Sequence, residues 1–143
     1  MASIQKVLTP YIVRASAVLT SAYVASASQP VATSTRGAFE VTYTQGAAGG
    51  CAQAYVETSA DNGATWVREI VRVGAVDTGA PPEGVSSTYR DALKLPVPAG
   101  ASAIRVRVQV DVATSTHVRL AVKEVGVPGT PGTCAVRYLE VIE

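Results

Sequence analysis

A strict alternation of apolar and polar residues over positions 104–112 is the feature that most restricts how this chain can fold. The apolar residues at every second position are Ile104, Val106, Val108, Val110 and Val112, and the polar residues between them are Arg105, Arg107, Gln109 and Asp111. Successive side chains of a β-strand point to opposite faces. The pattern therefore predicts a strand with one buried face and one solvated face, which is typical of an antiparallel sheet.

Apolar patterns of strand length recur along the chain and predict an all-β protein. We expect further strands at 11–19, 22–32, 39–44, 51–58, 66–73, 91–97, 118–122 and 134–142. Short strands separated by Gly- and Pro-rich turns are typical of sandwiches and jelly rolls. The expected fold is an antiparallel β-sandwich, jelly-roll-like, with eight or nine strands. Because the segment 113–117 is short and polar, we also expect 104–112 and 118–122 to pair as a hairpin.

The length of 143 residues fits one folded unit. We expect an N-terminal arm at 1–10 and a single β-sandwich domain at 11–143. Pro10 and Arg14 interrupt the apolar run that a cleaved signal peptide needs, so none is expected. A net charge of +1 predicts no general attraction to nucleic acid or anionic lipid. The apolar runs are also too short for a membrane span of about 20 residues.

The segment 59–66 predicts a hairpin that its own side chains hold together. Asn62 and Gly63 form the dipeptide most typical of tight hairpin turns, because both tolerate positive φ. The Asp61 carboxylate can accept hydrogen bonds from backbone amides of the turn. We expect the Trp66 ring to cover the base of the hairpin.

Five residues of this segment also match a known motif. They are Ser59, Asp61, Gly63, Thr65 and Trp66, which fit the Asp-box pattern. The Asp box specifies a hairpin and recurs in sialidase propellers and in unrelated β-domains. Propellers carry several copies on much longer chains, so this resemblance does not imply a glycosidase.

A wider resemblance covers about residues 22–125. The spacing of Phe39, Val41 and Tyr43, then the hairpin 59–66, then the alternating strand at 104–108 is similar to β-sandwich proteins of tailed-phage virions. Head decoration (cement) proteins have this pattern, as do some tail and fibre modules. The resemblance implies a structural protein on the capsid surface. Its partners would be the major capsid protein and copies of itself, as a homotrimer.

Several residues are candidates for contacts with such partners. In the arm they are Ile4, Val7 and Leu8, which we expect to order against a neighbouring protein, and Val141 and Ile142 end a last strand that could add to a neighbouring sheet. On the predicted hairpin, Arg105, Arg107 and Arg119 would form a basic strip facing an acidic neighbour, or an ordinary solvated face balanced by Asp111. A small carbohydrate-binding module is an alternative, which needs at least two coplanar exposed aromatic rings; Tyr55 and Tyr89 are candidates beside Trp66.

The sequence nominates no catalytic residue, metal ligand or cofactor. His117 is the only histidine, and one imidazole supplies neither a catalytic triad nor a zinc site. We therefore expect a protein that is not an enzyme. Cys51 and Cys134 match no metal or redox spacing. They could form a disulfide that closes a long loop, or they could be two small buried apolar side chains.

Overall fold

A computed structural model describes residues 6–7, 11–31, 36–47, 50–75, 88–89, 92–98, 100–125 and 130–142. Over these residues the protein contains strands and no helix, which confirms the all-β fold. The strands are β1 (Lys6–Val7), β2 (Tyr11–Val18), β3 (Val24–Ala25), β4 (Gln29–Pro30), β5 (Arg36–Thr44), β6 (Cys51–Ser59), β7 (Val67–Arg68), β8 (Val71–Ala75), β9 (Thr88–Tyr89), β10 (Leu93–Pro96), β11 (Ala103–Asp111), β12 (His117–Val125) and β13 (Thr133–Ile142).

The strands form two antiparallel sheets. The seven-stranded sheet has the order β1-β13-β5-β11-β8-β9, and β2 also pairs with β13. The six-stranded sheet has the order β10-β6-β12-β3, with β4 on β12 and β7 on β6. The described residues form thirteen strands, more than the expected eight or nine, because five of them have only two residues and eight are longer. A jelly-roll connectivity is not confirmed by this strand order.

One hydrophobic core takes side chains from both sheets, as in a sandwich. The predicted inner face of 104–112 is confirmed, because all five of its apolar residues are buried. Valine and alanine supply most of the core, and the largest fully buried side chains are Tyr43, Tyr138 and Phe39. The rings of Phe39 and Tyr138 pack 5.2 Å apart on neighbouring strands. These three rings therefore fill space that the small aliphatic residues leave.

One predicted pairing and one predicted strand are wrong, and both errors concern the choice of sheet. The expected hairpin between 104–112 and 118–122 does not form, since β11 pairs with β5 and β8 while β12 pairs with β6, β3 and β4. The link between them crosses from one sheet to the other. The expected strand at 66–73 is divided at Glu69 and Ile70, with β7 in the six-stranded sheet and β8 in the seven-stranded one. Alternation identifies the buried face of a strand but not the sheet that it joins.

The last strand was expected to add to the sheet of a neighbouring protein through its apolar end, but both of its edges are already paired. β13 pairs with β5 on one side and with β2 on the other. Beyond β2, Lys6 and Val7 of the predicted arm pair with Ile142 and Val141. This part of the arm therefore continues the protein's own sheet. Ile4 and Leu8 lie outside the described residues.

A polar contact joins the two sheets at one end of the core, and we call it the inter-sheet clamp. The Tyr43 hydroxyl, from β5, donates a 2.6 Å hydrogen bond to Glu124 Oε2, from β12. The same carboxylate oxygen accepts a 2.8 Å hydrogen bond from the Gly132 amide. Gly50 and Gly132 both lie where a Cβ would collide with Tyr43. Burial and the neighbouring Glu124 carboxylate raise the pKa of Tyr43, so its hydroxyl stays protonated and remains a donor.

Removal of this donor should weaken the protein markedly. Tyr43→Phe keeps the ring but leaves the buried Glu124 carboxylate with one hydrogen bond fewer, and we expect a loss of about 2 kcal/mol in the free energy of unfolding. Urea unfolding followed by circular dichroism measures it. Tyr55→Phe, on the outer face of the six-stranded sheet, is the matched control and should change stability by less than about 0.5 kcal/mol. Equal effects of the two substitutions would contradict the clamp.

Candidate functional site

The turn between β6 and β7 is held by its own side chains. Asn62 and Gly63 adopt the positive φ angles that the sequence predicted, 60° and 89°. Ser59 Oγ donates to Asp61 Oδ1 at 2.8 Å and accepts from the Gly63 amide at 2.8 Å. Asp61 also accepts from the Thr65 amide at 2.9 Å and from the Thr65 hydroxyl at 2.6 Å. The five-residue motif thus contains a closed hydrogen-bond network around one exposed carboxylate.

Trp66 ends this turn and packs against it. Its Cζ2 lies 3.7 Å from the place where a Gly63 side chain would begin. On the other side, the Arg119 guanidinium carbon stands 4.1 Å from the ring centroid. Arg119 Nε in turn donates to Glu57 Oε1 at 3.0 Å. The ring therefore contacts both the hairpin and a paired arginine, and it is half-buried.

The same pairing of rings with cations continues across the outer face of the six-stranded sheet. Arg68 stacks 4.0 Å over the Tyr55 ring, and Lys123 lies 4.6 Å over Tyr23. The two tyrosine rings meet edge to face, with an angle of 65° between their planes. A sugar platform needs coplanar open rings, and these rings are neither coplanar nor open. This geometry disfavours a sugar platform built from Trp66, Tyr55 and Tyr23; the Tyr89 side chain lies outside the described residues.

The outer face of the seven-stranded sheet carries a different arrangement, which we call the arginine cluster: Glu40, Arg105, Arg107 and Arg137. Glu40 is at the middle of β5, with Arg107 of β11 and Arg137 of β13 directly opposite in register. Glu40 Oε1 accepts from Arg105 at 2.8 Å and from Arg137 at 2.7 Å. Burial opposes ionisation of Glu40, but these hydrogen bonds outweigh it and lower the pKa of that carboxyl.

The predicted basic strip of Arg105, Arg107 and Arg119 is therefore wrong, because the three residues do not lie on one face. Arg105 and Arg107 lie on the seven-stranded sheet, whereas Arg119 lies on the outer face of the other sheet. Their expected balancing residue, Asp111, instead accepts a 2.9 Å hydrogen bond from the Ala113 amide in the following turn. Sequence reasoning missed Arg137, which stands 97 positions from its partner Glu40.

The disulfide that the sequence left open is not formed, and both cysteines are free in the structure. Cys51 begins β6 and Cys134 belongs to β13, so they lie on different sheets. Cys134 is buried beside the inter-sheet clamp, and burial raises the pKa of its thiol to about 11. Burial raises the pKa of the half-buried Cys51 as well. The alternative of small buried side chains describes Cys134.

A shallow pocket of about 430 Å³ opens at the edge of the seven-stranded sheet. It is lined by Arg36, Glu69, Ile70, Arg72, Gln109, Val110 and Asp111. Its two carboxylates are engaged elsewhere, since Glu69 accepts a 2.8 Å hydrogen bond from Thr58 and Asp111 caps a turn. His117 is not one of the lining residues, and its ring contacts the Thr116 hydroxyl at 3.1 Å.

The described part of the chain contains no group of three or more metal-ligating side chains that could hold an ion. Over the same residues, no helix has the length and apolar character needed to cross a membrane. No family model, no curated protein and no solved structure matches this chain.

The hydrogen bonds to Asp61 should give the hairpin a distinct acid sensitivity. Hydrogen bonds from Thr65 and Ser59 lower the pKa of Asp61 from an ordinary 3.8 to about 2. Because the folded pKa is the lower one, these bonds support the hairpin above about pH 4 and are lost as pH falls toward 2. The pH dependence of the Thr65 amide chemical shift, followed by NMR, should show a midpoint near 2.

Two variants test whether the transition belongs to the Asp61 carboxyl group. Asp61→Asn removes the carboxyl group and should abolish the transition at the Thr65 amide. Asp111→Asn changes a carboxylate that caps a different turn and should leave the transition unchanged. A wild-type midpoint near 3.8, the ordinary value, would show that Asp61 does not hold the turn.

Proposed function

We propose that this protein is a structural component of a virion, a decoration protein that binds the head shell of a tailed phage and reinforces it. The proposal comes from the resemblance of the hairpin 59–66 and its flanking strands to β-sandwich proteins of phage heads. The observation that supports it best is an exposed apolar edge on the sandwich. Such a protein would act by burying surface against its neighbours, without covalent chemistry.

The apolar edge consists of Tyr11, Ile12 and Val18 on β2 and Val24 on β3. These are four of the six exposed large apolar residues in the described part of the chain. The two strands belong to different sheets, but the Ala27 amide, just after β3, donates to the Val13 carbonyl of β2 at 2.9 Å. This hydrogen bond places the two strands that carry the four residues side by side at one margin of the sandwich. Clustered exposed apolar residues mark protein interfaces.

The polar groups of this margin favour side-chain packing over strand addition. Arg14 turns back onto the edge, where its guanidinium donates to the carbonyls of Cys134, Ala17 and Val18. A charged residue that covers backbone acceptors is a common protection against unwanted strand pairing. We therefore assign the apolar edge to contacts between copies of the protein, which the resemblance to decoration proteins expects to be trimers.

The test is the protein content of native particles. We expect particles purified from the source of this chain to contain it at close to one copy per shell subunit, measured by quantitative mass spectrometry. Gold-labelled antibodies should decorate the whole shell. A few copies confined to the tail would replace this proposal with the tail or fibre alternative. Absence of the chain from every particle fraction would refute a virion function.

A matched pair of variants tests the role of the apolar edge. Ile12 is 72% exposed on β2, and Val67 is 63% exposed on β7, away from that edge. Ile12→Asp should shift the protein from oligomer to monomer in sedimentation velocity, because it places a charge in the proposed interface. Val67→Asp should leave the oligomer intact. A wild-type protein that is monomeric, or equal effects of both changes, would remove the edge from the proposal.

A further inference from the structure

The arginine cluster presents only cations to solvent. The side chains of Arg105, Arg107 and Arg137 are 51%, 36% and 43% exposed, whereas that of Glu40 is 6% exposed. The carboxylate thus lies beneath the guanidinium groups that it pairs with. A molecule that approaches this face meets three arginines and little of the opposing charge.

The positive charge of the arginine cluster exceeds the negative charge that the cluster contains. Three guanidinium groups surround one carboxylate, and Arg72 stands on the same face beyond Gln109 of β11. The one other acid on the described part of this face, Asp111, lies directly opposite Arg36. The face therefore carries a local excess of cations, although the whole chain has a net charge of only +1. Such an excess attracts acidic groups.

Arg107 has hydrogen-bonding capacity that the cluster does not use. Its Nη2 is 3.8 Å from Glu40 Oε2, which is an ion pair but too long for a hydrogen bond. Its Nε has no hydrogen-bond partner among the described atoms but is buried, so a partner would reach only the exposed part of this guanidinium group. Arg105 and Arg137, by contrast, are both fixed on Glu40 Oε1. A second carboxylate above the cluster could therefore bind Arg107, between two arginines that Glu40 already holds in position.

We propose that the arginine cluster is a receptor for carboxylate side chains on a partner protein. That the partner is a protein of the head shell rests on the proposed function. A guanidinium group binds a carboxylate through two parallel hydrogen bonds. Because Glu40 holds Arg105 and Arg137 in place before the partner arrives, less side-chain entropy is lost on binding.

The dimensions and charge of the cluster favour acidic protein over nucleic acid. The three arginines lie on β13 and β11, on either side of β5, which makes the site about 10 Å wide. Nucleic-acid-binding domains usually have an extended basic stripe and an isoelectric point above about 9. This chain has a sequence isoelectric point of 7.8. A compact group of arginines suits one or two carboxylates better than a run of phosphates.

The probe is a fluorescein-labelled oligoglutamate, with binding followed by fluorescence anisotropy at low ionic strength, where exposed charges are least screened. Arg107→Gln is the main variant, because Arg105 and Arg137 still pair with Glu40 and the fold should persist. We expect this variant to bind about tenfold more weakly than the wild type. Arg105→Gln is a second variant with the same expected direction, and thermal unfolding checks that each variant is folded.

Two controls distinguish binding at the arginine cluster from a general attraction between the probe and positive charge. Arg68→Gln removes the same charge from the outer face of the six-stranded sheet and should leave oligoglutamate binding unchanged. Absence of binding by the wild type, or an equal loss in Arg68→Gln, would overturn the inference. Tighter binding of a single-stranded oligothymidylate of equal charge would show a nucleic-acid surface instead and would also overturn it.

The result of the oligoglutamate experiment is independent of the result of the test on native particles. If native shells contain the protein but oligoglutamate does not bind, the receptor is refuted and the virion function stands. If oligoglutamate binds through Arg107 but no particle contains the protein, the site stands and the virion function is refuted.

Discussion

The hydrogen bond from Tyr43 to Glu124 is the constraint on which the geometry of this sandwich depends. Valine and alanine make a thin core, and small side chains alone do not define a single distance between two sheets. A phenol that reaches from β5 to a carboxylate on β12 does define it at this end of the core. Gly50 and Gly132 make room for the Tyr43 ring, so four positions of the chain meet at one contact.

A fixed separation of the sheets keeps two unlike surfaces back to back. On the six-stranded sheet, Arg119, Arg68 and Lys123 lie over aromatic rings, which covers one face of each ring. On the seven-stranded sheet, arginines cover a buried carboxylate and keep their outer sides in solvent. The cations of one face are therefore stacked on aromatic rings, whereas the arginines of the other face surround a carboxylate. Our proposals assign shell contacts to the face of the seven-stranded sheet.

Local features of this fold could be predicted from the sequence, because they depend on neighbouring residues. Alternation gave the buried face of β11, and Asn62-Gly63 gave the turn after β6. Sheet membership could not be predicted, because Arg107 and Arg119 are close in sequence but lie on opposite faces of the sandwich. The arginine cluster could not be predicted for the same reason. Glu40 finds Arg137 only through the pairing of β5 with β13, and no local pattern encodes that pairing.

The account as a whole proposes that the protein works through these surfaces, with the seven-stranded sheet toward its acidic partner and the apolar edge toward its copies. A reconstruction of the native particle by electron cryomicroscopy tests this most directly. We expect two-layered density repeated over the shell, with carboxylates of the neighbouring protein within about 4 Å of Arg107. Density that turns the six-stranded sheet toward the shell would contradict the account.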